Sequence, residues 1–157
     1  MDKLPRRLIS LLAPALPVFA LLVFAAGSAH ATASFDCSID DRNAAVELHG
    51  NIGSGDGAML QLTQGSIKLK AVRGKFDAVE FNVEKGNLVQ QWTYAKDMRI
   101  GFMTDEIKDV SVYLIIIAQE GKPKDDITQY KGRYILKVQS PKGATELKGT
   151  LKSCEAG

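Results

Sequence analysis

The sequence predicts an all-β domain: a small, mainly antiparallel sandwich or barrel of about eight strands, with one short helix near residues 88–95. Three observations carry this. Apolar and polar residues alternate with period two along most of the chain. Turn residues interrupt that alternation at short intervals. Two cysteines, Cys37 and Cys154, bracket nearly all of the alternating region.

Residues 1–31 read as a cleaved signal peptide ahead of a single domain spanning 34–157. Lys3, Arg6 and Arg7 form a basic start, and residues 8–26 are apolar except for Ser10, Pro14 and Pro17. Ala29-His30-Ala31 then supplies a small-x-small cleavage signature, repeated in shifted frame by Ala31-Thr32-Ala33. A run of about 18 apolar residues is near the spanning minimum, so a retained anchor is the alternative. In that case the membrane is met only through the leader. The prolines and the cleavage signature favour removal, with a mature start between Ala31 and Ser34. The expected location is the periplasm or the exterior.

Without Asp2, Lys3, Arg6 and Arg7, the 20 basic and 18 acidic residues become 17 of each. The domain is formally neutral, which argues against nucleic acid as a partner, since that needs a net basic footprint. Its length suits one hydrophobic core. Cys37 and Cys154 are the two cysteines of the chain. In an oxidising compartment they read as a disulfide. Their parity conflicts, because Cys37 shares a face with Phe35 and Ile39 whereas Cys154 shares one with Lys148, Thr150 and Lys152. A bulge near Ser153, or a bridge along an edge, would reconcile them.

The elements follow in order. Residues 34–39 form the first strand, Asp40-Asp41-Arg42-Asn43 turns, and 44–49 form the second. Residues 50–57 are a glycine-rich turn. Residues 58–63 and 66–72 read as a hairpin around Gln64-Gly65. Val79, Phe81 and Val83 alternate with Glu80 and Asn82 in the next strand. After Asn87, a good N-cap residue, Leu88, Val89, Trp92 and Ala95 fall at helical spacing, so 88–95 is read as a helix. The alternative is a strand on which Leu88, Trp92 and Tyr94 share a face with Gln90. Strands follow at 98–103 and 110–119, and 132–140 with 145–154 closes a hairpin over Pro141-Lys142-Gly143.

No sequence motif points to a catalytic, cofactor-binding or metal-binding site. His49 is the one histidine after the leader, and no Ser or Cys stands at a triad spacing from it. Gly53-Ser54-Gly55-Asp56-Gly57 lacks the lysine of a phosphate loop, and a strand rather than a helix follows it. The acidic groups Asp40-Asp41, Asp105-Glu106 with Asp109, and Asp125-Asp126 lack calcium-loop order and sit where turns are expected.

The candidate surface lies elsewhere. The 110–119 strand is apolar on both faces: Val112, Leu114, Ile116 and Ala118 on one, Tyr113, Ile115 and Ile117 on the other. Something must cover the second row. The helix carrying Trp92 would do so, or else a partner would. From Lys131 to Lys152 there are also six basic residues and one acid, Glu146. Lys137, Lys148 and Lys152 offer a basic sheet face that could meet another exported protein or an anionic envelope surface. The candidate interaction residues are therefore Tyr113, Ile115, Ile117, Trp92, Lys137, Lys148 and Lys152. The expected function is a non-enzymatic, exported binding module. The alternatives are an inhibitor of an exported enzyme, with the 50–57 loop as the inserting element, and an enzyme whose composite site escapes sequence reading.

Overall fold

Period-two alternation folds this chain into ten strands of one antiparallel sheet in the computed structural model, which describes residues 32–53 and 59–157. The strands are β1 (Thr32–Asp40), β2 (Ala44–Gly53), β3 (Leu60–Leu69), β4 (Val79–Val83), β5 (Leu88–Tyr94), β6 (Asp97–Met103), β7 (Ser111–Glu120), β8 (Thr128–Ser140), β9 (Gly143–Thr150) and β10 (Ser153–Ala156). Their order across the sheet is β4-β3-β2-β1-β10-β8-β7-β6-β5, with β9 joined to β8 off this path. The sheet curls into a half-barrel. The expected leader, residues 1–31, and the tip of the glycine-rich loop lie outside the described residues, whereas the expected mature start between Ala31 and Ser34 overlaps the beginning of β1.

The curl gives every strand an inner and an outer face. Phe35, Leu48, Ile67, Phe81, Phe102, Leu114 and Leu136 meet inside, all buried. On β2 the burial alternates strictly from Ala44 to Ile52, as its sequence alternates. This follows from the strand geometry, in which successive side chains point to opposite faces.

Three one-residue slips reset the phase of the sheet, and the first two keep apolar side chains inside. On β3, Leu60 and Leu62 are inner at even positions, whereas Ile67 and Leu69 are inner at odd ones. The pairing with β2 shifts between His49 and Gly50, so the extra residue is absorbed as a bulge. Thr63 Oγ1 donates to His49 O there (2.9 Å). The hairpin expected around Gln64-Gly65 is therefore one continuous strand, because a bulge and a turn break the alternation alike. The same slip separates β9 from β10. Leu147 is half-buried at an odd position, Lys152 and Ser153 are both exposed, and Cys154 and Ala156 are buried at even positions. That break is the bulge the cysteine parity required.

The third slip overturns the helix expected at 88–95. The segment is strand β5, with a register shift between Leu88 and Gln90. The bulge at Val89 makes the half-buried residues fall at 88, 91 and 93, whereas Val89, Trp92 and Ala95 of the expected helical stripe are exposed. Asn87 is not the N-cap of a following helix. Asn87 ends a 3-10 turn (Lys85–Asn87), where its Oδ1 accepts from Glu84 N (2.8 Å) and its Nδ2 donates to Met103 O (3.0 Å).

The two halves of the sheet meet at β10. This four-residue strand pairs with β1 through Phe35↔Ala156 to Ser38↔Ser153, and with β8 through only Glu155↔Gln129 and Ala156↔Thr128. Cys37 and Cys154 face each other in the β1–β10 ladder and are bonded across 117 residues of sequence. Ser34 and Gly157 exchange two backbone hydrogen bonds (2.9 and 3.1 Å), which extends the ladder past the strand end.

Beyond β10 the seam is closed by side chains. Tyr134 on β8 donates its hydroxyl to Asp41 Oδ2 (2.5 Å), in the turn between β1 and β2. Asn43 donates from Nδ2 to Tyr134 Oη and to Lys148 O, each at 3.1 Å. Gly149 leaves room for this cluster, since a Cβ there would strike Asp41 Oδ2 and the Tyr134 ring. Burial alone would raise the Asp41 pKa, but the Tyr134 hydroxyl, the Asn43 and Ala44 amides and Lys70 together hold it below the ordinary range. Burial, reinforced by the Asp41 carboxylate, pushes Tyr134 up to about 12.

Two outcomes follow. Replacing Cys37 by Ser should lower stability by about 2–4 kcal/mol in denaturant titrations, because the bond restricts a long loop of unfolded chain. Hydrogen exchange should accelerate first in β1 and β10. Equal stability with and without reductant would rule the bridge out as the seam's tie. The Asp41–Tyr134 pair gives stability two pH limits. Asp41, with a depressed native pKa, stabilises at neutral pH and loses that contribution as pH falls below about 4. Tyr134, with a raised one, loses its contribution between about 10 and about 12. Tyr134→Phe should cost about 1–3 kcal/mol at pH 7 and shrink both limbs. An unchanged pH profile would contradict the assignment.

Candidate functional site

Cross-strand register places most of the candidate residues on one surface, the outer face of strands β5 to β9. Three rows of paired residues cross it. Trp92, Arg99, Ile117, Arg133 and Thr150 form the first. Gln90, Gly101, Ile115, Ile135 and Lys148 form the second. Met103, Tyr113, Lys137 and Glu146 form the third. Sequence reading alone put Trp92 in a helix above this face; the bulge at Val89 instead puts it within the face.

The rows differ in exposure. Ile115 is 3% exposed although it points away from the core. The core cluster contains its neighbours Leu114 and Ile116 but not Ile115. No helix overlies it among the described residues, so its cover comes from the same face: Gly101 and Ile135 across the strands, Tyr113 and Ile117 beside it. Tyr113 leans over Gly101, where a Cβ would meet its hydroxyl at 2.9 Å, and donates to Gln90 Oε1 (3.2 Å). Ile117 and Ile135 are half-buried. The accessible apolar groups lie nearer the β5 edge. Trp92 is 51% exposed and Tyr94 71%, and their rings stack with centroids 6.2 Å apart.

The charge on this face is mostly basic. Arg99, Lys131, Arg133, Lys137 and Lys148 stand against Asp97 and Glu146. Lys148 bonds Glu146 (2.8 Å) and holds its carboxyl below the usual range, with Lys137 adding to the effect. Among the described residues, no acid lies within ion-pair distance of Arg99, Arg133 or Lys137. Lys152 does not join this face. It sits in the break between β9 and β10 and faces Asp40 Oδ2 at 3.8 Å. Sequence reading missed Arg99, Tyr94 and Ile135. Simple alternation within β6 and β8 gives Arg99 and Ile135, and reading 88–94 as a strand adds Tyr94.

The other candidates resolve locally. His49 lies within β2, and its Nδ1 meets Asp36 Oδ1 on the outer surface (2.5 Å). Among the described residues, neither side chain meets a hydroxyl or thiol; the Thr63 hydroxyl bonds only the His49 backbone carbonyl. Asp109, Asp125 and Asp126 hold positive φ (59, 52 and 63°) in tight turns, the local use of aspartate that favours such positions. No group of three metal-ligating side chains occurs among the described residues. No described helix is long and apolar enough to cross a membrane.

Two substitutions separate the structural from the accessible part of the face. Ile115→Asp should cost about 2–5 kcal/mol in chemical denaturation, since it removes a buried side chain and buries a charge. Trp92→Ala, at a half-exposed site, should shift stability by less than about 1 kcal/mol. A melting curve for Ile115→Asp that matches the parent would return this residue to the open surface.

Comparisons with family models, curated proteins and solved structures found no match to this chain.

Proposed function

We propose that the chain is an exported, non-enzymatic binding module whose outer β5–β9 face docks an acidic surface of another exported protein. The observation that supports this is the row Trp92–Arg99–Ile117–Arg133. It combines the residue types that dominate binding hot spots with two arginines that no described acid neutralises. A planar guanidinium matches a carboxylate bidentately, whereas an ammonium does not.

Several features favour a protein over a flat anionic surface. The row spans four strands, about 14 Å at the usual strand spacing, so one partner patch reaches all of it. The outer face of a half-barrel is convex, and a flat headgroup layer would touch it only along its crest. A concave protein surface would meet Trp92 and Arg133 together. The disulfide suits an oxidising compartment, in line with the leader-like start of the sequence.

The test compares capture from envelope extract by the purified protein and by a Trp92→Ala, Arg133→Glu variant. The expected result is an acidic protein bound by the parent, at least tenfold more weakly by the variant, and less in high salt. Flotation with phosphatidylglycerol vesicles runs in parallel. Arginine-dependent flotation without any captured protein would replace this reading with the anionic-envelope one. Turnover of a substrate by the purified chain would reject the non-enzymatic reading.

A further inference from the structure

A second feature lies at one end of the half-barrel, away from the outer face, and does not rest on the reading above. Three connections converge there: the β3–β4 loop, the β6–β7 loop and the β8–β9 turn. They enclose a half-open cavity of about 180 Å³. Phe76, Val79 and Val110, each nearly fully buried, supply apolar lining. Lys75, Lys108 and Lys142 line it as well, one from each connection, and Asp77 is the one acid among the lining residues. Among the described residues, none of the three lysines has an acid within ion-pair distance.

Each lysine is carried by a hydrogen-bonded turn. Val72 O accepts from the amides of Lys75 (2.9 Å) and Phe76 (3.2 Å), and Val72 N donates to Phe76 O (3.0 Å). Ile107 and Val110 exchange two backbone bonds (2.9 and 3.0 Å) around Lys108 and Asp109. Ser140 pairs with Gly143 around Pro141 and Lys142. The Ser140 hydroxyl lies 3.2 Å from Lys75 O and 3.1 Å from Gly143 O, linking two of the turns. The mouth is thus ordered before any ligand arrives, which lowers the entropic cost of binding.

Lys108 is the most telling member. Its φ is 53° and that of Asp109 is 59°. Turns that need positive φ at both central residues favour Asn-Gly, and a long side chain at the first position carries steric strain. The chain nonetheless places a lysine there, at the rim of an apolar cavity. Barrel mouths are frequent ligand sites, and the apolar lining with a few polar groups is their usual composition.

We infer that this mouth binds a small organic anion, with its acidic head among Lys75, Lys108 and Lys142 and a compact apolar body against Phe76, Val79 and Val110. The size limit follows from the volume, since a cavity of about 150 Å³ accommodates benzene. The head is a carboxylate or phosphate, and the body is no larger than about one ring.

Titration calorimetry with the purified protein tests this, using phenylphosphate and benzoate as probes. Inorganic phosphate and benzyl alcohol remove the body and the charge in turn. Phenylphosphate and benzoate should bind competitively, and each control should bind at least tenfold more weakly. Lys108→Gly removes the charge while giving the turn a residue that accepts positive φ freely, so its melting temperature should hold or rise. Its affinity for phenylphosphate should fall about tenfold, the effect of one lost charge-assisted contact. Lys142→Gln should do the same. No heat from either aromatic anion at millimolar concentration would overturn the proposal. So would phosphate binding as tightly as phenylphosphate, or undiminished affinity in both lysine variants.

Discussion

The fold depends on the short contact between β1 and β10. Everything from β1 to β4 is one antiparallel run, and everything from β5 to β9 is another. The chain joins them in sequence only through the β4–β5 connection, at the two outer edges of the sheet. In space they are joined by a four-residue strand whose ladder to β8 is two pairs long. Such a ladder, taken alone, is marginal. The Cys37–Cys154 bond and the Tyr134–Asp41–Asn43 cluster sit on either side of the point where β9 leaves the sheet path. A covalent tie and a half-buried polar tie therefore hold one seam. The seam brings the two halves around a shared core, in which Phe35 on one side and Leu136 on the other are buried in the same cluster.

Most of this was legible in the sequence, and what was not legible has one physical cause. β2 and β4 alternate without interruption, and β6 and β7 keep one phase although Gly101 and Ile115 are buried on the outer face. The reading failed wherever a bulge shifted phase. Gln64-Gly65 looked like a turn, Leu88 to Ala95 like a helix, and Cys154 like a residue on the wrong face. In each case the chain gained one residue, and the inner side chains changed parity. Periodicity reports the face of a residue only relative to its local phase, and a bulge resets that phase without a signature of its own. The cysteine pair is the exception, since a bond between opposite parities forces a slip somewhere between them.

The same shifts decide which surface forms. Had 88–95 been a helix, Trp92 would have covered the Tyr113–Ile115–Ile117 row and that face would have been interior. As a bulged strand, β5 instead extends the face and adds Trp92 and Tyr94 to it. Ile115 is consequently buried by a single layer of its own neighbours. Alternation put Tyr113, Ile115 and Ile117 on one face but could not say that Ile115 is buried there while the β5 side is exposed. That distinction comes from register, which pairs Ile115 with Gly101 and Ile135 but Ile117 with two arginines.

Net neutrality hides how charge is distributed. The outer face of β1 to β4 with β10 carries Asp36, Asp40, Glu47, Glu80 and Glu155 against Lys68 and Lys70, and several of these pair with one another. The β5–β9 face carries the opposite excess, with arginines that no acid among the described residues pairs. An unpaired surface charge costs little in water, so its presence is not a fold requirement. Stability would be served equally well by acids opposite Arg99 and Arg133, as it is by Glu80 opposite Lys68. Among the described residues, Lys68 and Lys70 on one outer face are paired whereas Arg99, Arg133 and Lys137 on the other are not, and packing does not explain the difference. The acidic partner proposed for the β5–β9 face would account for it, and the proposed anion at the lysine-lined mouth would repeat the pattern on the scale of a small molecule.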